Sequence, residues 1–130
     1  MTMTYSAQAK SRYTSDAVQT ASPARLLVML YDRLVLDLVN AETFAQKGDF
    51  EGMGRELQHA QDIVLELRTS LDHSAWDGAA GLDALYTWVF SELVGANVGR
   101  DAGRVAAARS IVEPLRDAWR QAALQLLQTA

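Results

Sequence analysis

From residue 22 to residue 128 apolar side chains recur every three or four positions, and glycines at 48, 78 and 99 cut that pattern into four stretches. The period is that of an α-helix, in which residues i, i+3 and i+4 share one face. No stretch shows the period-2 alternation of a half-buried strand. The fold class expected is therefore all-α. The first stretch opens at Ser22, a good N-cap, and Pro23, whose missing N–H has no intrahelical partner at the first helical position. It runs to about Lys47, where Gly48 is a natural stop. The second runs from about Phe50 to Leu71, with Gly52 and Gly54 weakening its first turn. The third follows Asp77 and Gly78 and reaches about Val98, before Gly99. The fourth starts near Asp101, a suitable cap, and continues to about Gln128. Pro114 lies inside it and predicts a kink or a break, because proline removes a backbone hydrogen bond and crowds the preceding turn.

The connections between these stretches are short, which favours antiparallel neighbours and an up-down-up-down four-helix bundle. A length of 130 residues suits one such domain. The division expected is an arm over residues 1–21 and a bundle over residues 22–130. The arm is rich in Thr, Ser, Ala and Gln, has no sustained period, and carries the isolated apolar residues Tyr5, Tyr13 and Val18. It reads as flexible or short-helical: a frayed terminus, or an arm that docks reversibly on the body and gates it through those three residues.

Three of the four stretches carry a single apolar stripe at about 100° per residue. The second has Met53, Leu57, Ala60, Ile63, Val64, Leu67 and Leu71. The third has Leu82, Leu85, Tyr86, Val89, Phe90, Leu93 and Ala96. The fourth has Ala108, Ile111, Val112, Leu115, Trp119, Ala122 and Leu126. Each stripe is what one bundle helix needs to bury. The first helix is different. Leu26, Leu27, Leu30, Tyr31, Leu34, Leu38, Ala41 and Ala45 make one face, Val28, Val35 and Val39 fall at its margin, and Met29 and Leu36 sit on a third side. Either this helix is unusually enclosed or part of it walls an exposed groove, since contiguous exposed apolar surface marks interaction sites. Leu65, Trp88, Leu124 and Leu127 also lie off their stripes, and Trp76 stands in a Gly-containing connection. The residues expected to meet a partner are Val28, Met29, Val35, Leu36, Val39, Leu65 and Trp88.

The parts of an enzyme are missing. There is no cysteine, which excludes a disulfide scaffold, a thiolate zinc site and a cysteine nucleophile. Only two histidines occur. Glu56 and His59 have the Glu-x-x-His spacing of a di-iron helix, but no second copy exists, so a solvated surface pair is expected. His73 follows Asp72 with no other ligand near it in sequence, Gly52-Met53-Gly54 lacks the rest of a phosphate loop, and Ser74 has no nucleophile-elbow context. No catalytic residue, metal or cofactor is expected. The composition, 49% hydrophobic and 22% charged, excludes wholesale disorder. No apolar run approaches the ~20 residues of a membrane span, and residues 1–10 lack the pattern of a secretory signal, so a cytoplasmic protein without membrane insertion is expected. The net charge of −4 argues against nucleic acid as partner. Arg100, Arg104, Arg109, Arg116 and Arg120 interleave with Asp101, Glu113 and Asp117, which fits a salt-bridged face rather than a phosphate track.

Four further groups of residues occur in a recognisable order. They are Thr20-Ala21-Ser22-Pro23 with Leu26 and Met29-Leu30-Tyr31-Asp32; Ala60-Gln61-Asp62-Ile63-Val64 with Glu66-Leu67 and Ser70-Leu71-Asp72; Leu85-Tyr86 with Leu93 and Ala96-Asn97; and Leu115-Arg116-Asp117-Ala118-Trp119. Together, over about residues 13–120, they resemble the FliS family of flagellar export chaperones. Arg33, where the family usually has a small residue, and Pro114 depart from its pattern. The resemblance implies an antiparallel helical bundle around which the C-terminal segment of flagellin wraps, with the N-terminal arm covering part of that surface in the free state. It implies a cytoplasmic chaperone that prevents premature flagellin polymerisation and keeps the client competent for flagellar type III secretion. The flagellar export gate and other flagellar regulators are further partners it suggests. A helical adaptor of the export apparatus binding another partner is the alternative.

Overall fold

The computed structural model describes residues 22–129, with side chains to residue 126. Tyr5, Tyr13 and Val18 lie outside the described residues. Among the described residues four helices follow one another: α1 (Pro23–Gln46), α2 (Phe50–Thr69), α3 (Ala79–Gly99) and α4 (Ala102–Thr129). Three of these starts carry a side-chain cap, and α3 begins after Gly78 without one. Ser22 Oγ accepts from the Arg25 backbone N–H, Asp49 from that of Gly52, and Asp101 from that of Gly103. These side chains satisfy donors that the first helical turn leaves orphaned.

Interhelical contacts give the register. Asp37 of α1 meets His59 of α2, and Phe44 packs against Gly52, so α1 and α2 run antiparallel. Arg68 of α2 bonds Asp83 of α3, and Gly54 lies beside Asn97. Arg104 of α4 bonds Glu92 of α3. Arg109 and Arg120 of α4 reach Glu42 and Asp32 of α1, which closes the ring with a fourth antiparallel pair. Thus α1 packs on α2 and α4, and α3 packs on the same two helices from the opposite corner. Their stripes meet in one core built from Tyr31, Leu34, Leu38, Met53, Leu57, Leu67, Val89, Leu93 and Val105 with their smaller neighbours. Across its diagonal the Tyr31 and Tyr86 hydroxyls hydrogen-bond at 2.6 Å.

Several expectations need correction. Helix α4 runs unbroken through Pro114. Pro114 and Ser110, whose carbonyl loses its helical donor, are both exposed, so water replaces that bond. Val112, Leu115 and Trp119 on either side are seated in or against the core, and that packing holds the helix through the proline. Helix α3 extends through Gly99 and ends on Arg100 in the left-handed conformation (φ 52°), whose guanidinium lies 5.0 Å above the Phe50 ring. That cation–π contact compensates a conformation unfavourable to a side chain. Ala122 and Leu126 were placed in the core stripe but are exposed, Leu126 at 59%. The His59–Glu56 surface pair is overturned as well. His59 Nδ1 contacts the carboxylate of Asp37, which is fully buried and also accepts from Arg33 Nε at 3.0 Å. The interleaved charges do form the expected salt-bridged face: Arg109 holds Glu42 and Glu113, and Arg116 bonds Asp117.

Candidate interaction groove

The helices are unequal, and the inequality creates a groove. In the register set by Asp37–His59 and Phe44–Gly52, the end of α2 at Thr69 lies level with Leu27 of α1. The first turn of α1 therefore extends past α2. In the register set by Glu42–Arg109 and Asp32–Arg120, the last turns of α4 run beside that same overhang. Between them lies a groove of about 730 Å³ lined by Ser22, Pro23, Ala24, Arg25, Val28, Arg120, Ala123, Leu124 and Leu126. Its walls are mostly apolar, and neither α2 nor α3 contributes a lining residue.

The seven residues singled out from sequence do not form one surface. Val28 lines the groove. Met29 is half-buried, while Leu36 (46% exposed) and Val39 are exposed further along α1, with Asp32, paired to Arg120, between Val28 and Leu36. Val35 does not belong with them. It is 6% exposed and part of the core, because α4 packs over the margin of α1 at that level. The surplus apolar faces of α1 thus have two causes, burial under α4 for Val35 and an open surface for Val28, Leu36 and Val39. Leu65 on α2 and Trp88 on α3 are exposed on other sides of the bundle. Since α3 is diagonal to α1, nothing smaller than a segment that wraps the bundle touches both Trp88 and Val28.

The groove residues from α4 were missed. Leu124 was noted only as lying off its stripe, and Leu126 was assigned to the core. The usable signal was length: a stripe that outruns its partner helices has nothing to bury against. A second, smaller pocket of about 170 Å³ lies at this end, between Leu27, Leu67, Leu71, Trp76, Leu82 and Trp119. Exposed Trp76 walls it from the α2–α3 connection. Beneath, burial pushes the Tyr31 hydroxyl pKa up, with the Tyr86 hydrogen bond and the neighbouring Trp119 indole opposing that shift. The Trp119 Nε1 is itself buried, with no hydrogen bond of normal geometry. No group of His, Cys, Asp and Glu among the described residues has a metal-binding arrangement. No helix of the described chain is long and apolar enough to cross a membrane.

The family model described as "Flagellar protein FliS" matches residues 5–126. The chain belongs to the FliS family. It is 33% identical over 110 residues to the flagellar secretion chaperone FliS of Bacillus subtilis (strain 168), covering 85% of this chain and 82% of that one. It is 33% identical over 111 residues to the flagellar secretion chaperone FliS of Escherichia coli (strain K12), covering 84% and 82%. A crystal structure of a flagellar chaperone from bacteria superposes with a TM-score of 0.73 at 22% identity, covering 91% of this chain and 97% of the other. The FliS fold is thereby shown as the four-helix bundle expected from the stripes. The resemblance to FliS read from the sequence stands. Arg33 has a structural role here, since its Nε donates to the buried Asp37 carboxylate, which the His59 ring also contacts.

Proposed function

We propose that this protein is a cytoplasmic flagellar secretion chaperone that captures the C-terminal segment of flagellin, prevents its premature polymerisation and keeps it competent for type III export. One observation carries the reading: a bundle of the FliS family leaves an apolar groove of about 730 Å³ open between α1 and α4. An amphipathic client helix entering such a groove hides the surface through which it would self-associate. Each well-buried Leu or Val anchor contributes roughly 1.5–3 kcal/mol. Ordering a flexible client costs about 2–5 kcal/mol or more, so several anchors are required. Val28 and Leu124, with Met29, Leu36 and Val39 along α1, supply them. Leu65 and Trp88 become secondary contacts for a client that wraps the bundle. Capture of this kind is an equilibrium and needs neither catalysis nor a nucleotide.

The arm over residues 1–21 acts in this reading as a weak competitor for the groove through Tyr5, Tyr13 and Val18. Deleting residues 2–17 is expected to leave the fold unchanged and to strengthen or speed client binding; unchanged affinity and kinetics would remove the competitor role. The groove itself is tested by calorimetric titration with the flagellin C-terminal segment. Val28→Asp and Leu124→Asp are each expected to weaken binding about tenfold or more with an unchanged circular dichroism spectrum. Normal binding by both folded variants sinks the groove assignment. No binding of flagellin to the parent protein sinks the client assignment, and capture of another export component in its place favours the adaptor alternative.

A further inference from the structure

The groove has a charge as well as an apolar wall. Among the described residues its lining contains two arginines, Arg25 from α1 and Arg120 from α4, and no acidic residue. This is unusual for a chain of net charge −4. No acidic residue stands in the first turn of α1, and no carboxylate among the described residues lies within ion-pair distance of the Arg25 guanidinium. Arg120 is bonded to Asp32 at 2.6 Å, and Arg116 beside them pairs with Asp117 at 3.1 Å, which leaves Arg25 as the rim cation without a carboxylate among the described residues. The apolar trough is thus edged by more positive charge than the described residues neutralise.

We infer that the groove selects a client helix whose apolar face is bordered by Asp or Glu, with those carboxylates pairing to Arg25 and, in exchange with Asp32, to Arg120. This rests on the groove being the client site, and it adds the client's chemistry to that assignment. Exposed guanidinium–carboxylate pairs give modest affinity but discriminate by sign, because a like charge at the same place is repelled. The same reasoning ranks the possible occupants. Residues 1–21 bring Lys10 and Arg12 against a single Asp16, the wrong sign for this rim. An acid-edged client segment therefore displaces the arm by charge as well as by apolar content.

The test is a titration of the full chain with three synthetic amphipathic helices that share one apolar face and carry Glu, Gln or Lys along its edges. The Glu peptide is expected to bind about fivefold tighter than the Gln peptide, with the Lys peptide weakest, and the ranking is expected to compress at high salt. Arg25→Gln combined with Arg120→Gln should erase the Glu-over-Gln preference. Equal binding of Glu and Gln peptides, with both lost in Val28→Asp, overturns the acid selection and leaves the groove in place. Binding that Val28→Asp and Leu124→Asp do not affect overturns the groove assignment and this inference with it. A preference that survives in the double arginine variant, or that vanishes on deleting residues 2–17, takes the selection away from Arg25 and Arg120.

Discussion

A hydrogen atom is all that fits on the inner side of Gly52. A Cβ built there meets the Phe44 ring at 2.7 Å and the Asp49 carboxylate at 2.9 Å. Sequence read this glycine as a weak point in the first turn of α2, which is true of its propensity and incomplete as an explanation. Close approach of α1 to α2 requires it. Gly52→Ala is therefore expected to destabilise the protein by about 1–3 kcal/mol in urea denaturation, although alanine is the better helix former. Tyr31 and Tyr86 illustrate a second cost. Their shared hydrogen bond satisfies two buried hydroxyls, and Tyr86→Phe leaves the Tyr31 hydroxyl without that partner at a cost of about 1–3 kcal/mol. Burial, first of all, raises both hydroxyl pKa values above the ordinary tyrosine value. A group whose folded pKa is raised contributes stability that is fully present below its unfolded pKa and is lost as pH rises. Stability should therefore fall above about pH 10, where tyrosines of the unfolded chain begin to release protons and these two do not. A Tyr31→Phe, Tyr86→Phe double variant should show a flatter stability profile over that alkaline range.

At the scale of single elements, α4 shows how tertiary contacts override a local signal. Pro114 costs an isolated helix interior about 3 kcal/mol. Here the residue is exposed and the helix is held on both sides of it by core contacts. Pro114→Ala restores a backbone donor to the Ser110 carbonyl without touching the core. It is expected to raise the thermal midpoint, with a gain of up to about 3 kcal/mol and no change in helix content by circular dichroism. An unchanged or lowered midpoint would mean that the helix has adapted to the proline ring. Helix α1 makes the complementary point. Its excess of apolar directions was legible in the sequence as an anomaly, but two opposite explanations fitted it. Only the position of α4 separates Val35, which it covers, from Leu36 and Val39, which it does not.

The molecule as a whole owes its groove to a mismatch of lengths. Helix α4 spans 28 residues against 20 in α2. In the register set through α1, α4 ends about level with Pro23 and α2 with Leu27, so at about 1.5 Å per residue α4 outruns α2 at this end by roughly 6 Å, about one turn. Removing residues 122–130 is expected to leave the core intact, because Val105, Ala108, Val112, Leu115 and Trp119 all remain. The same truncation should abolish client capture, as it deletes Ala123, Leu124 and Leu126 from the groove. Circular dichroism and flagellin titration on one sample separate the two effects. Full binding by the truncated chain would place the client elsewhere on the bundle.

Periodicity and caps alone determined four helices, the starts at Ser22 and Asp101, and most of the core, because those features depend on spacing along one helix. The same locality explains why the family was recognisable from its scattered groups. The sequence could not decide what depends on how helices lie beside each other. Asp37 looked like any charged helix residue until α2 brought His59 against it. Leu126 belonged to a regular stripe until the register of the helices placed it past the end of α2, beside the first turn of α1 and in the groove. Burial and openness are properties of pairs of elements, set by register and relative length, and those quantities exist only once the chain has folded.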